Sequence, residues 1–146
     1  MIVKEQKKQH STTRKNINFA SVANNLALVE KLVDDVCEKY KVNKDHYGNI
    51  LVSITEAVNN AIQHGNKYNP DKRVQITFET GINMLYFSIE DEGDGFDYTS
   101  ISDPTDPKNL EKLNGRGIFL MKNLADNVEF SENGKKVELD FKISAN

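Results

Sequence analysis

Hydrophobic periodicity predicts an α+β two-layer α/β sandwich, a mixed and mostly antiparallel sheet covered on one face by about three helices. Two observations carry that prediction. Two long segments repeat apolar residues every three or four positions, and two pairs of short segments alternate apolar with polar residues around tight turns. Strands that pair mainly as hairpins, with helices gathered on one side, can bury both sets of apolar surface in one layer. The 146 residues, 38% hydrophobic and 28% charged, suffice for one such domain and call for no second.

The elements follow in order. "MIVKEQKKQH" has charge but no apolar run, so residues 1–11 read as a flexible lead and not as a signal peptide. "STTRKNINFAS" is a first strand candidate, its β-formers interrupted by charge and amides. From Ser21, a candidate N-cap, Leu26, Val29, Leu32, Val33, Val36, Cys37 and Tyr40 mark one face of a long helix. "VNKDHYGN" reads as a connection to a second helix, whose face is Tyr47, Ile50, Leu51, Ile54, Ala57, Val58, Ala61 and Ile62, with Gly65 placed to end it. "VQITFET" and "MLYFSIED" make a hairpin about "GIN". Residues 97–114, polar and carrying Pro104 and Pro107, are longer than the roughly 12–15 residues usual for a loop in a compact domain and predict a functional loop or a disordered segment. "GIFLMKNLADN" is a short helix opened by Gly115 and Gly117. The last hairpin turns at Asn133-Gly134 and aligns Val137, Leu139, Phe141 and Ile143.

Composition narrows the function. A formal charge of -3 supplies no general attraction to nucleic acid or anionic membrane, so neither is expected as a direct partner. A single cysteine, Cys37, on the apolar stripe of the first helix, cannot form an internal disulfide and reads as a small buried hydrophobe. A reduced, cytoplasmic setting is expected.

Three clusters could carry chemistry. On the second helix Glu56, Asn60, Gln63 and His64 share a polar stripe, which either faces water or presents a carboxylate and an amide to polarise a hydroxyl and hold Mg²⁺ through oxygen. Asp91 continues the core-facing row of Leu85, Phe87 and Ile89, an odd place for a carboxylate, and it opens "DEGDG". That motif is either an ordinary glycine-rich turn or one whose Gly93 and Gly95 let backbone approach a flat ligand. It is not a calcium loop, since those glycines stand where oxygen ligands are needed. In "NGRGIFLM", Gly115 and Gly117 either loosen a linker or open a helix whose N-terminus seats phosphate, with Lys112 and Arg116 as nearby cations. Neither a Walker P-loop nor a Rossmann turn is present.

In this order, E-x-x-x-N on a helix, D-x-G-x-G after a strand, a long lid and then G-x-G before a helix, the motifs resemble those of the GHKL ATPase superfamily over roughly residues 12–144. "TEAVNNAIQHGN" and "GRGIFLM" look most like the small anti-sigma factor serine kinases of bacterial stress and sporulation switches. The resemblance implies ATP and Mg²⁺ as cofactors, Glu56 as general base and Asn60 as a metal ligand. It implies Asp91 as the acceptor for the adenine amine, with Gly93, Gly95 and the adjoining Phe96 at the base. Gly115 and Gly117 begin the helix whose backbone receives phosphate, with Lys112 and Arg116 the nearest cations although neither aligns with the arginine relatives carry before the lid glycines. A sigma factor and an anti-sigma antagonist are the implied protein partners. Relatives pair through their first strand, and the sequence leaves open whether this chain forms a homodimer. Also open are a nucleotide-binding switch that transfers no phosphate, and a detached histidine kinase catalytic domain. His10, His46 and His64 read as surface or helix-end residues, against the latter.

Overall fold

The structure is a computed structural model that describes residues 14–95 and 115–143. The expected lead at 1–11, the start of the first strand candidate, the lid at 97–114, and Phe96 and Lys112 lie outside the described residues.

Five strands form one sheet in the order β1-β2-β3-β5-β4, and every neighbouring pair is antiparallel. They are β1 (Arg14–Ala20), β2 (Arg73–Gly81), β3 (Met84–Glu90), β4 (Asn127–Ser131) and β5 (Lys136–Lys142). The helices are α1 (Leu26–Lys39), α2 (Lys44–Asn60) and α3 (Gly115–Leu124). The α+β prediction holds, with the sheet antiparallel throughout the described residues, because adjacent strands are joined as hairpins or by helices that return on the same side.

Register explains the single core. Cross-strand partners on one face are Phe19 with Val74, Ile76 with Ile89, Phe78 with Phe87, Phe87 with Leu139 and Ile89 with Val137. A slip of one residue would turn each of these rows to the other side, so burial itself pins the pairing. Aromatic rings continue across the sheet, Phe78 to Phe87 at 5.1 Å and Phe87 to Phe141 at 6.0 Å between centroids. Val29, Leu32, Val33 and Val36 of α1 and Ile50, Ile54 and Val58 of α2 close the same core. Cys37 is buried, and burial, reinforced by the Asp34 carboxylate, pushes its thiol up to about 11, which keeps it protonated and unreactive.

Two helix starts differ from the sequence expectation. Ser21 does not cap α1: its hydroxyl donates to the Lys72 carbonyl at 2.9 Å, wholly buried, and a short 3-10 turn at Ala23–Asn25 precedes the helix. A tertiary bond at the joint of β1 and β2 outcompetes the local cap. Conversely, α2 begins inside the supposed connection, because the Asn43 side chain accepts from the His46 N–H at 2.9 Å as an N-cap. Gly48 lies in open space within the helix, a weakening the buried face overrides. None of the described helices is long and apolar enough to cross a membrane.

Candidate nucleotide site

The helix that carries Glu56 does not end at Asn60. It runs on through one wider turn, Ala61–Gly65, closed by the Asn66 N–H to the Ala61 carbonyl at 2.8 Å. Such π-turns re-aim side chains and recur at functional sites. Here Gln63 is left exposed, while Asn60 and His64 stay beside a cleft between α2, α3 and the last hairpin. Gln63 therefore parts from the stripe it shared on an ideal helix.

Glu56 and Asn60 do not simply face water. Both are half-buried, and a Cβ added at Gly117 would meet Asn60 Nδ2 at 3.0 Å and Glu56 Oε1 at 3.1 Å. The bare Cα of Gly117 is what lets the first turn of α3 approach these two side chains. A carboxylate oxygen, an amide oxygen and a helix N-terminus thus converge, a set of groups suited to a bound cation and to phosphate oxygens. Arg116 is exposed on the same turn.

The other end of the cleft is built around Asp91. Its N–H donates to the Lys135 carbonyl at 3.0 Å, prolonging the β3–β5 ladder by one residue. Its Oδ1 accepts from the Gly93 N–H at 2.8 Å, and its carboxyl group lies where a Cβ on Gly65 would stand. Gly93 in turn packs on the Gly65 carbonyl, and Gly95, at φ +85°, packs on the Asn133 carbonyl. Glycine is required at 93 by close approach and at 95 by both approach and conformation. Burial pushes the Asp91 carboxyl above its ordinary range, partly offset by the Gly93 hydrogen bond and the Lys135 charge. Burial likewise holds His64 below its ordinary range.

Between these ends Ala57, Ala61, Ile89, Met121, Phe130 and Val137 line apolar walls. A narrow apolar slot with one recessed carboxylate suits a planar heteroaromatic base that offers an N–H donor. Thus Asn60, Asp91 and Gly95 line one cleft, Glu56 and Gly117 meet beside Asn60, and the Gly93 N–H is bonded to Asp91. Sequence reading treated Gly65 only as a helix stop, and passed over Met121 and Phe130 as walls and Asn66 altogether. Gly65 and Asn66 had a faint signal, a Gly-Asn pair directly after a polar helix end.

The fold and cleft are of the class of the GHKL-type ATPase domains. The chain belongs to the histidine kinase-like ATPase domain family, whose model matches residues 19–141. It is similar to the serine-protein kinase RsbW of Staphylococcus aureus strains JH9 and Newman, 27% identical to each over 122 residues, covering 78% of this chain and 77% of each relative. In fold it is similar to the solved RsbU and RsbW domains of Rv1364c from Mycobacterium tuberculosis, with a TM-score of 0.62 at 14% identity over 90% of this chain. This chain spans 32% of that longer one.

Proposed function

We propose that this chain is an ATP-dependent protein serine kinase that phosphorylates an anti-sigma antagonist and binds a sigma factor. Residues 12–146 then act as one kinase domain, working in the cytoplasm, with 97–114 as its lid. The observation that carries the reading is the meeting of Glu56 and Asn60 with Gly117 at the start of α3, at the end of the cleft away from Asp91. The RsbW likeness directs it to a serine-bearing protein substrate.

The residues present fit ATP and Mg²⁺. The slot between Ala61 and Val137 takes the base, and the Asp91 carboxylate receives its amine hydrogen. Gly93 and Gly95 shape that pocket. Asn60 would hold Mg²⁺ through its amide oxygen; the ion supplies neutralisation of charge on the phosphates. The α3 N-terminus from Gly115, with Arg116 exposed on its first turn, faces the phosphate chain. Glu56 orients the substrate serine and takes its hydroxyl proton as the Oγ–P bond forms and the bond from the γ-phosphorus to the ADP oxygen breaks.

Incubation with radiolabelled ATP and a serine-bearing antagonist protein tests this directly. Label on the antagonist's serine is the expected result. One departure favours a second reading, a nucleotide-binding switch without transfer: the bases nearest the lid glycines are Lys112 and Arg116, and neither stands where relatives carry a γ-phosphate arginine. Tight ATP binding with no label on any antagonist would establish the switch instead.

A further inference from the structure

Asn66 is 1% exposed and does not line the cleft, yet its carboxamide is used three times. Oδ1 accepts from the Glu92 N–H at 2.8 Å, and Nδ2 donates to Ser21 Oγ at 2.6 Å and to the Arg73 carbonyl at 2.9 Å. One side chain therefore ties the end of the π-turn to the end of β1, the start of β2 and the loop bearing Asp91. That loop has a partner for each successive N–H: Asp91 to Lys135 O, Glu92 to Asn66 Oδ1, and Gly93 to Asp91 Oδ1. Of the three, the Glu92 bond is the one made to a side chain outside the loop. Glu92 adds a second tether, its Oε1 accepting from the Arg73 N–H at 2.6 Å.

We infer that Asn66 is a positioning residue for nucleotide recognition, holding the Asp91–Glu92 peptide so that the Asp91 carboxylate stays over Gly65 and faces the base. It acts on affinity through Asp91 without touching the nucleotide. Without the carboxamide, the Glu92 N–H loses its partner beside a half-buried carboxylate, and the loop relaxes to find another. The inference rests on the reading that Asp91 receives the base of ATP.

The test is calorimetric titration of the full chain with ATP, alongside its melting temperature. Asn66→Ala should weaken ATP binding about tenfold, as expected for loss of a buried hydrogen-bonding partner, with turnover at saturating ATP little changed. In an Asp91→Asn background the same change should cost far less, because both act through one contact. Ser21→Ala, which cuts one donation of the network but leaves the Glu92 bond, should lower the melting temperature while ATP affinity stays within about twofold, separating positioning from stability. If Asn66→Ala does not fold, Asn66→Asp, which keeps an acceptor for Glu92, decides the matter: it should bind ATP nearly as well as the native chain. Native-like affinity in Asn66→Ala, a full and additive loss in the double variant, or a weakly binding but folded Asn66→Asp would each overturn the inference. Absence of ATP binding by the native chain would instead sink the nucleotide reading, and this inference with it.

Discussion

At the Asp91 end of the cleft backbone meets backbone, Gly93 on the Gly65 carbonyl and Gly95 on that of Asn133, whereas at the Gly117 end two side-chain tips meet a bare Cα. A backbone contact cannot yield without moving the main chain, and a side-chain tip can swing aside. The first end therefore has one geometry, fit for recognising a rigid base. The second can adjust, fit for a flexible phosphate chain, an ion and an incoming hydroxyl.

The largest expected effect belongs to the adjustable end. Glu56→Ala should reduce phosphoryl transfer by about 10²–10⁴ while ATP affinity holds, as for loss of a positioned base. Full transfer by that variant removes the base assignment. Next, Gly93→Ala should lower stability by about 3 kcal/mol, since its Cβ would enter the space of the Gly65 carbonyl. For a chain of this size that is a fall of roughly 10 °C in melting temperature, read by calorimetry; an unchanged value would show that the two backbones can part.

Asp91→Asn should weaken ATP binding by about 2 kcal/mol, some thirtyfold, through loss of a charged acceptor. The same variant should be more stable than the native chain at neutral pH. Burial raises the Asp91 carboxyl in the folded state, so the folded chain keeps its proton to higher pH than the unfolded chain. Unfolding free energy is then lost as pH rises from the ordinary value of 3.8 through the folded value, and the asparagine is spared that loss. Melting curves of both proteins should converge below pH 3.8; an equal gap at every pH would remove burial as the cause.

The smallest effect sharpens the contrast between the two ends. In Gly117→Ala the atoms nearest the new Cβ are the Asn60 and Glu56 tips at 3.0–3.1 Å, and alanine favours the helix, so stability should change by less than about 1 kcal/mol. Transfer should drop severalfold. A collapse like that of Gly93→Ala would mean that both ends are equally rigid.

Much of this was legible beforehand because it depends on spacing along the chain. The two long helical stripes, both hairpins and the carboxylate at the end of a core-facing row all follow from periods of 3.6 and 2. Ser21 and Asn43 were not legible as they stand: both types cap helices, and which one does so depends on what else the fold offers each. Ser21 finds Lys72 across the sheet, and Asn43 finds His46 three residues on.

By itself, then, the sequence determined the α+β sandwich, the family motifs and the residues that merit substitution, since these are written in local pattern. Only the tertiary structure decided that Glu56 and Asn60 face Gly117, that Gly65 must lack a side chain beneath Asp91, and that Asn66 joins three elements. Apart from the Asn66–Arg73 bond, seven positions apart, those facts join residues separated by 26 to 61 positions in the chain, and no local period reports which of them will touch. Close packing selects the partners, because in a filled interior a glycine is tolerated or required according to what lies against it.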